Sequence, residues 1–89
     1  MAILNGKQID IGGLNGLEIS EILLAASSNG DGKGISLVLT SDEIEAIKAI
    51  TTMSVENRLQ EMLVDAIQRK TGKRSDWIPC TFEGGVFKT

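Results

Sequence analysis

The stretch GGLNGLEISEILLAA, residues 12–26, marks where a strand ends and the first helix begins. Asn15 and Glu18 have the spacing of a capping box, in which each side chain accepts a hydrogen bond from a backbone N–H group at the helix start. Leu14 and Ile19 occupy the positions of a hydrophobic staple. Apolar residues then recur at helical spacing, which predicts a heavily buried helix with a wide apolar face: Leu17, Ile19, Ile22, Leu23, Leu24 and Ala26.

Upstream of this helix, an Asn-Gly pair at positions 5–6 separates residues 2–4 from residues 7–11. Asn-Gly between apolar stretches is the strongest short-range signal for a two-residue β-hairpin. In that register Leu4 lies opposite Lys7. The sequence therefore predicts an N-terminal hairpin that leads into the first helix.

A second capping box follows residues 35–39, a short apolar run that predicts a central strand. Thr40 and Glu43 have the required spacing. The helix that begins there is expected to turn three isoleucines toward the core: Ile44, Ile47 and Ile50.

Residues 51–54 carry Thr and Ser hydroxyls that compete for backbone groups, so a break in the helix is predicted there. A third helix is predicted over residues 55–71, with Gly72 as the residue that ends it. Asp65 and Arg69 are spaced on it as an i,i+4 ion pair. Its expected buried face comprises Val55, Leu59, Met62, Leu63, Ala66 and Ile67.

The glycines at 84–85 separate residues 77–83 from residues 86–88 and predict a C-terminal hairpin. Pro79 confines its first strand to a sheet edge or a bulge. The element order β β α β α α β β indicates a single α+β domain over residues 1–89. Its helices are expected to pack on one face of a sheet of about five strands. The strand edges left open at the two hairpins predict self-association into a homo-oligomer.

The composition limits the available chemistry. The chain has no histidine and no tyrosine, and Cys80 is its single cysteine. Because catalytic triads and tetrahedral zinc sites need residues that are missing, we expect a non-enzymatic protein without a metal or cofactor, and a structural role for the Cys80 thiol. A carboxylate-based enzyme is the weakest hypothesis, since the acids Asp42, Glu43 and Glu45 lie in a first helical turn, where the macrodipole alone favours them.

The net charge of −3 lacks the basic excess of a general nucleic-acid binder. No apolar run approaches the ~20 residues that span a bilayer, and no leader pattern precedes the first strand. The lone cysteine favours a reducing compartment. We therefore expect a cytoplasmic protein that binds neither membranes nor nucleic acids in general.

The end of the third helix combines positive charge with the only tryptophan, which favours a macromolecular partner and above all a protein. The leading hypothesis is thus an interaction protein. Small acidic domains without catalytic residues are common among phage and mobile-element accessory proteins, so we expect an inhibitor or adaptor of a host factor. The predicted partner-binding residues are Arg69, Lys70, Lys73, Arg74 and Trp77.

The alternative hypothesis is a small-ligand module. A Gly-rich turn at a helix start offers backbone N–H groups to an anion such as a nucleotide. The spacing here matches neither of the Gly-rich nucleotide motifs. A second Gly-rich loop, residues 29–34, adds a lysine. The residues of this alternative site are Gly12, Gly13, Asn15, Gly16 and Lys33.

Overall fold

The computed structural model describes all residues, 1–89, as five strands and three helices. The strands are β1 (Ala2–Leu4), β2 (Lys7–Ile9), β3 (Ser36–Val38), β4 (Thr81–Glu83) and β5 (Val86–Lys88), and the helices are α1 (Gly16–Ala26), α2 (Ser41–Ala49) and α3 (Val55–Thr71). The predicted α+β fold and element order are confirmed. None of the helices combines the length and apolarity needed to cross a bilayer.

The sheet is antiparallel, with strand order β2-β1-β3-β5-β4. β3 lies at its centre and each hairpin flanks it on one side. The N-terminal hairpin has the predicted register, in which Leu4 pairs with Lys7. β4 is an edge strand with Pro79 just before it, so proline removes no donor from the sheet interior.

One face of the sheet carries the core. Leu4, Leu37, Phe87 and Phe82 pair in succession across four strands and therefore point to the same side, where α1 and α3 cover them. The other face holds an apolar row of Ile3, Val38 and Val86, which are exposed or half-buried. Helices α1 and α3 thus pack on one face of the sheet, as predicted.

Both predicted capping boxes form. Asn15 Oδ1 accepts from the N–H of Glu18 at 2.8 Å, and Glu18 Oε1 accepts from the N–H of Asn15 at 3.1 Å. Thr40 and Glu43 make the equivalent pair at the start of α2. The predicted break is present between Ala49, the last residue of α2, and Val55, the first residue of α3.

The prediction that Ile50 points inward is wrong, because α2 ends at Ala49 and the Ile50 side chain is 66% exposed. Leu17 is also 48% exposed rather than buried. A helix turns about 100° per residue, so Leu17 stands at the margin of the stripe centred on Ile19 and Leu23.

The predicted Asp65–Arg69 ion pair is also wrong. Arg69 Nη2 donates to the Ser20 hydroxyl at 2.8 Å, and Asp65 instead lies 3.8 Å from Arg74 Nη1. Residues 77–80, predicted as part of a strand, lie outside β4 because a side chain, that of Gln60, takes the backbone groups of Ile78.

The turn residue Asn5 connects three elements. It adopts a positive φ of 49°, as the first turn position of this hairpin requires. Its Nδ2 donates to the carbonyl of Ala26 at 2.9 Å, at the end of α1, and its Oδ1 accepts from the N–H of Ser36 at 2.7 Å. Asn5 therefore joins the hairpin to α1 and β3 through a helix-terminal carbonyl that has no helical partner.

We predict that Asn5→Gly lowers the free energy of unfolding by about 2 kcal/mol, since glycine keeps the positive φ but removes the side-chain hydrogen bonds to Ala26, Gly34 and Ser36 and adds chain entropy to the unfolded state. Asn29→Gly is the matched control, because the Asn29 side chain is exposed and makes no hydrogen bond within the protein. It should change stability by less than about 0.5 kcal/mol. Urea denaturation of both variants tests this, and equal stabilities would contradict it.

Candidate functional site

The chain leaves α3 through a well-defined turn. Gly72 adopts a φ of 77°, and its N–H donates to the carbonyl of Gln68 at 2.8 Å. The Thr71 hydroxyl donates to the carbonyl of Ile67 at 2.8 Å and accepts from the N–H of Lys73 at 3.3 Å. These bonds satisfy carbonyls at the helix end and set the direction in which residues 72–80 run.

Gln60 fastens residues 72–80 to α3. Its side chain is fully buried, with 0% exposed, and its Oε1 accepts from the N–H of Ile78 at 2.9 Å. Its Nε2 donates to the carbonyl of Ile78 and to Cys80 Sγ. A side-chain amide thus gives Ile78 the donor and acceptor that a neighbouring strand would supply, so the buried N–H and C=O of Ile78 and the buried amide of Gln60 all have partners.

This attachment leaves Trp77 at the surface. Ile78 is buried in the core cluster, whereas Trp77 and Pro79 on either side of it are exposed. The Trp77 side chain is 59% exposed. We call the exposed residues Lys73, Arg74, Trp77 and Pro79 of this segment the Trp77 surface.

The structure does not gather the four predicted cations around Trp77. Arg69 points toward α1, where it bonds Ser20. Lys70 approaches the loop after α1, and its Nζ would lie 3.0 Å from a Cβ placed on Gly30. Arg74 folds back to Gln68, at 3.4 Å. Lys73 and Arg74 therefore belong to the Trp77 surface, and Arg69 and Lys70 belong to the side of α3 that faces α1.

The alternative ligand residues are also separated. Lys33 follows the C-terminal end of α1, whereas Gly12, Gly13, Asn15 and Gly16 precede or begin that helix, about 16 Å away along an 11-residue helix. The N–H of Gly12 donates to Asp10 Oδ1 at 3.0 Å, and the N–H of Glu18 donates to Asn15. Several donors of the predicted anion site are thus already used, one of them by a carboxylate.

Arg58, which lies beside Gly16, was not among the residues predicted for this site. A Cβ placed on Gly16 would lie 3.0 Å from Arg58 Nη2. Arg58 Nη1 pairs with Glu61 at 3.0 Å, and Nε is buried without a hydrogen-bond partner. A groove of about 370 Å³ runs there between α1 and α3, with Arg69 also in its lining. An i,i+3 pair with Glu61 is ordinary on a helix surface, so the spacing carried no signal.

Gly12 and Gly13 border a different depression, which we call the apolar groove. It has a volume of about 200 Å³ and lies between the start of α1 and the inner side of α2. Ile11, Leu14 and Ile19 line one side of it, and residues of α2 line the other. Its walls are mainly apolar, which suits a hydrophobic side chain better than an anion.

The Cys80 thiol is half-buried, 3.0 Å from Gln60 Nε2 and 3.9 Å from Glu56 Oε1. Burial raises the pKa of the Cys80 thiol, the hydrogen bond from Gln60 lowers it, and the negative charge of Glu56 raises it. The net effect is a pKa above the usual range, so the thiol is protonated at neutral pH. No three His, Cys, Asp or Glu side chains are grouped so as to hold a metal ion.

We predict that Gln60→Met lowers the free energy of unfolding by about 2 to 4 kcal/mol, because methionine has a similar shape but leaves the buried N–H and C=O of Ile78 without partners. Gln68→Met, at an exposed position on the same helix, is the control and should cost less than about 0.5 kcal/mol. Chemical denaturation measures both changes. Similar losses in the two variants would show that the Gln60 bonds contribute little.

Alkylation of Cys80 by iodoacetamide should lag behind that of the urea-unfolded chain through the alkaline range, because the folded-state pKa is raised and the thiolate is the reactive species. The same shift makes the fold lose stability as the pH rises through that pKa. Glu56→Gln removes a charge that raises the pKa and should speed alkylation several-fold at pH 8, unlike the distant control Glu45→Gln. Equal rates in the two variants would contradict the assignment.

Comparison with protein-family models, curated proteins and solved structures finds no match to this chain.

Proposed function

We propose that the protein is a non-enzymatic interaction protein that binds a partner protein through the Trp77 surface. The observation that carries this proposal is the 59% exposure of the only tryptophan, on a segment held to α3 by the fully buried Gln60. An exposed indole on a fixed segment resembles the anchor residue of an interface, since tryptophan is enriched among residues that dominate binding energy.

The attachment of the segment also favours binding. A loop that is already ordered loses little conformational entropy when a partner covers it. Gln60 fixes Ile78, and the turn at Gly72 fixes the other end of the segment. The Trp77 side chain therefore enters an interface from a fixed position on the protein.

The charges of the surface indicate the kind of partner. Lys73 and Arg74 precede Trp77 on the same exposed segment, with Asp76 as the one carboxylate among residues 72–80. Positive charge at the rim of an interface raises the association rate with an acidic partner and disfavours a basic one. We therefore propose an acidic partner surface, with the protein acting on it as an inhibitor or an adaptor.

A small-ligand module is the second candidate function. The observation in its favour is Arg58, whose buried Nε has no partner in the groove beside Gly16. The pairing of Arg58 with Glu61 and the use of Arg69 by Ser20 both weaken this candidate, because each guanidinium already has a neighbour. The hydrogen bonds already made by the N–H groups of Gly12 and Glu18 weaken it further.

The proposed function predicts that Trp77→Ala abolishes partner capture by the immobilised protein, and that the double variant Lys73→Glu, Arg74→Glu weakens it at least about tenfold. Both sets of side chains are exposed, so the thermal unfolding midpoint should change little. The double variant Lys7→Glu, Lys33→Glu reverses the same number of charges away from the Trp77 surface. Equal capture by the two double variants would contradict the proposal.

A further inference from the structure

The apolar groove is the second exposed apolar feature of the molecule. Ile50 in its lining is 66% exposed, and Met53, three residues later, is 42% exposed. Single apolar residues on a surface are ordinary, but a depression lined mainly by apolar side chains is typical of an interaction site.

The groove is open because α2 is only partly packed. Ile47 is the one fully buried side chain of this helix, and Ile44 is half-buried. Gly12 and Gly13 widen the mouth, and a Cβ placed on Gly13 would meet no atom within 4 Å. The protein's own chain therefore leaves the groove unfilled.

The groove and the Trp77 surface differ in charge. Glu43 is the one charged residue in the lining of the groove, and the segments 10–26 and 40–50, from which all lining residues come, carry six carboxylates against one lysine, Lys48. Residues 72–80, which include the Trp77 surface, carry the two cations Lys73 and Arg74 against one carboxylate, Asp76. One region of the protein is thus apolar and acidic, and the other presents an aromatic side chain together with two cations.

The two regions cannot meet within one molecule. Gln60 holds residues 77–80 on one flank of α3, whereas Arg58 and Arg69 mark the flank that faces α1. A helix turns about 100° per residue, which puts Gln60 and these arginines on opposite sides of α3. Any contact between Trp77 and the apolar groove must therefore join two copies.

We propose that the apolar groove of one copy receives Trp77 of a second copy, so that the chain assembles head to tail. This proposal rests on the proposed function and names a second copy as a partner of the Trp77 surface. An apolar cavity of about 150 Å³ holds a benzene ring, so a groove of about 200 Å³ has room for much of an indole. The acidic surroundings of the groove complement the cations that accompany Trp77.

Such a contact uses two different surfaces of each copy. It is heterologous, so it generates a ring or an open chain of molecules rather than a symmetric dimer. Pairing through the free edges of β2 or β4 would instead be independent of both Trp77 and the groove. Variants at the two surfaces therefore distinguish these modes of association.

The test uses two variants, each of which lacks one half of the contact. Ala46→Lys puts a cation in the groove and leaves Trp77 intact, and lysine is well tolerated in a helix. Trp77→Ala leaves the groove intact and removes the indole emission, since the chain has no other tryptophan and no tyrosine. Ala49→Lys is the matched control, at an exposed position of α2 outside the groove lining.

The Trp77→Ala variant is titrated into the Ala46→Lys variant while the emission of Trp77 is recorded. We expect a saturable blue shift as the indole enters the groove, and sedimentation should show a complex of two chains that grows no further. Trp77→Ala combined with Ala49→Lys should titrate in the same way. When the titrant is Trp77→Ala combined with Ala46→Lys, the affinity should fall at least about tenfold, because the groove of that variant is blocked.

The head-to-tail contact is overturned if the emission shows no blue shift when Trp77→Ala, alone or combined with Ala49→Lys, is added. If partner capture still depends on Trp77 in that case, the proposed function stands without it. Association that persists equally in all four variants would assign the oligomer to strand edges and likewise overturn the contact. Circular dichroism of each variant confirms that the fold is retained before titration.

Discussion

The hydrogen bonds between Gln60 and the backbone of Ile78 determine the path of the chain after α3. A buried N–H or C=O group without a partner costs about 1 to 3 kcal/mol, so the chain crosses α3 where a buried amide side chain meets both groups. Ile78 then packs into the core beside Gly32. A Cβ on Gly32 would lie 2.6 Å from Ile78 Cδ1, so the loop after α1 leaves space for that side chain.

From this crossing point the chain enters β4 and then β5, which pairs with the central strand β3. Phe87 of β5 is fully buried between the sheet and the helices. The same bonds that deliver this hairpin to the sheet turn Trp77 outward. The stability of the fold and the presentation of the candidate binding residue therefore depend on one side chain, and function cannot be changed at Gln60 without affecting the fold.

Much of the fold is predictable from the sequence because its signals are local. Capping boxes at Asn15 and Thr40 involve residues three positions apart, and the Asn-Gly turn fixes the register of β1 and β2 through backbone geometry alone. Gly72 ends α3 for an equally local reason. The side-chain hydrogen bonds that Asn5 makes to Ala26 and Ser36 were not predictable, since those partners are 21 and 31 residues away in the sequence.

The candidate site was only partly predictable, because it depends on contacts between distant residues. Arg69 and Lys70 are close to Trp77 in sequence, but the direction in which each side chain leaves α3 depends on what packs there. Arg69 meets Ser20, 49 residues away. The exposure of Trp77 depends on Gln60, which in the sequence resembles any polar residue on an amphipathic helix. Periodicity identifies buried faces, but it does not identify a buried glutamine that bonds a distant backbone.

Hydrogen exchange of the Ile78 amide, followed by NMR, measures directly whether Gln60 holds residues 72–80 to α3. If Gln60 holds the segment, the Ile78 N–H should be protected with a free energy close to that of global unfolding, while the neighbouring Trp77 amide exchanges much faster. Exchange of the Ile78 amide at the rate of Trp77 would show that the segment opens freely from α3, and would contradict the view that Trp77 is presented by a fixed attachment.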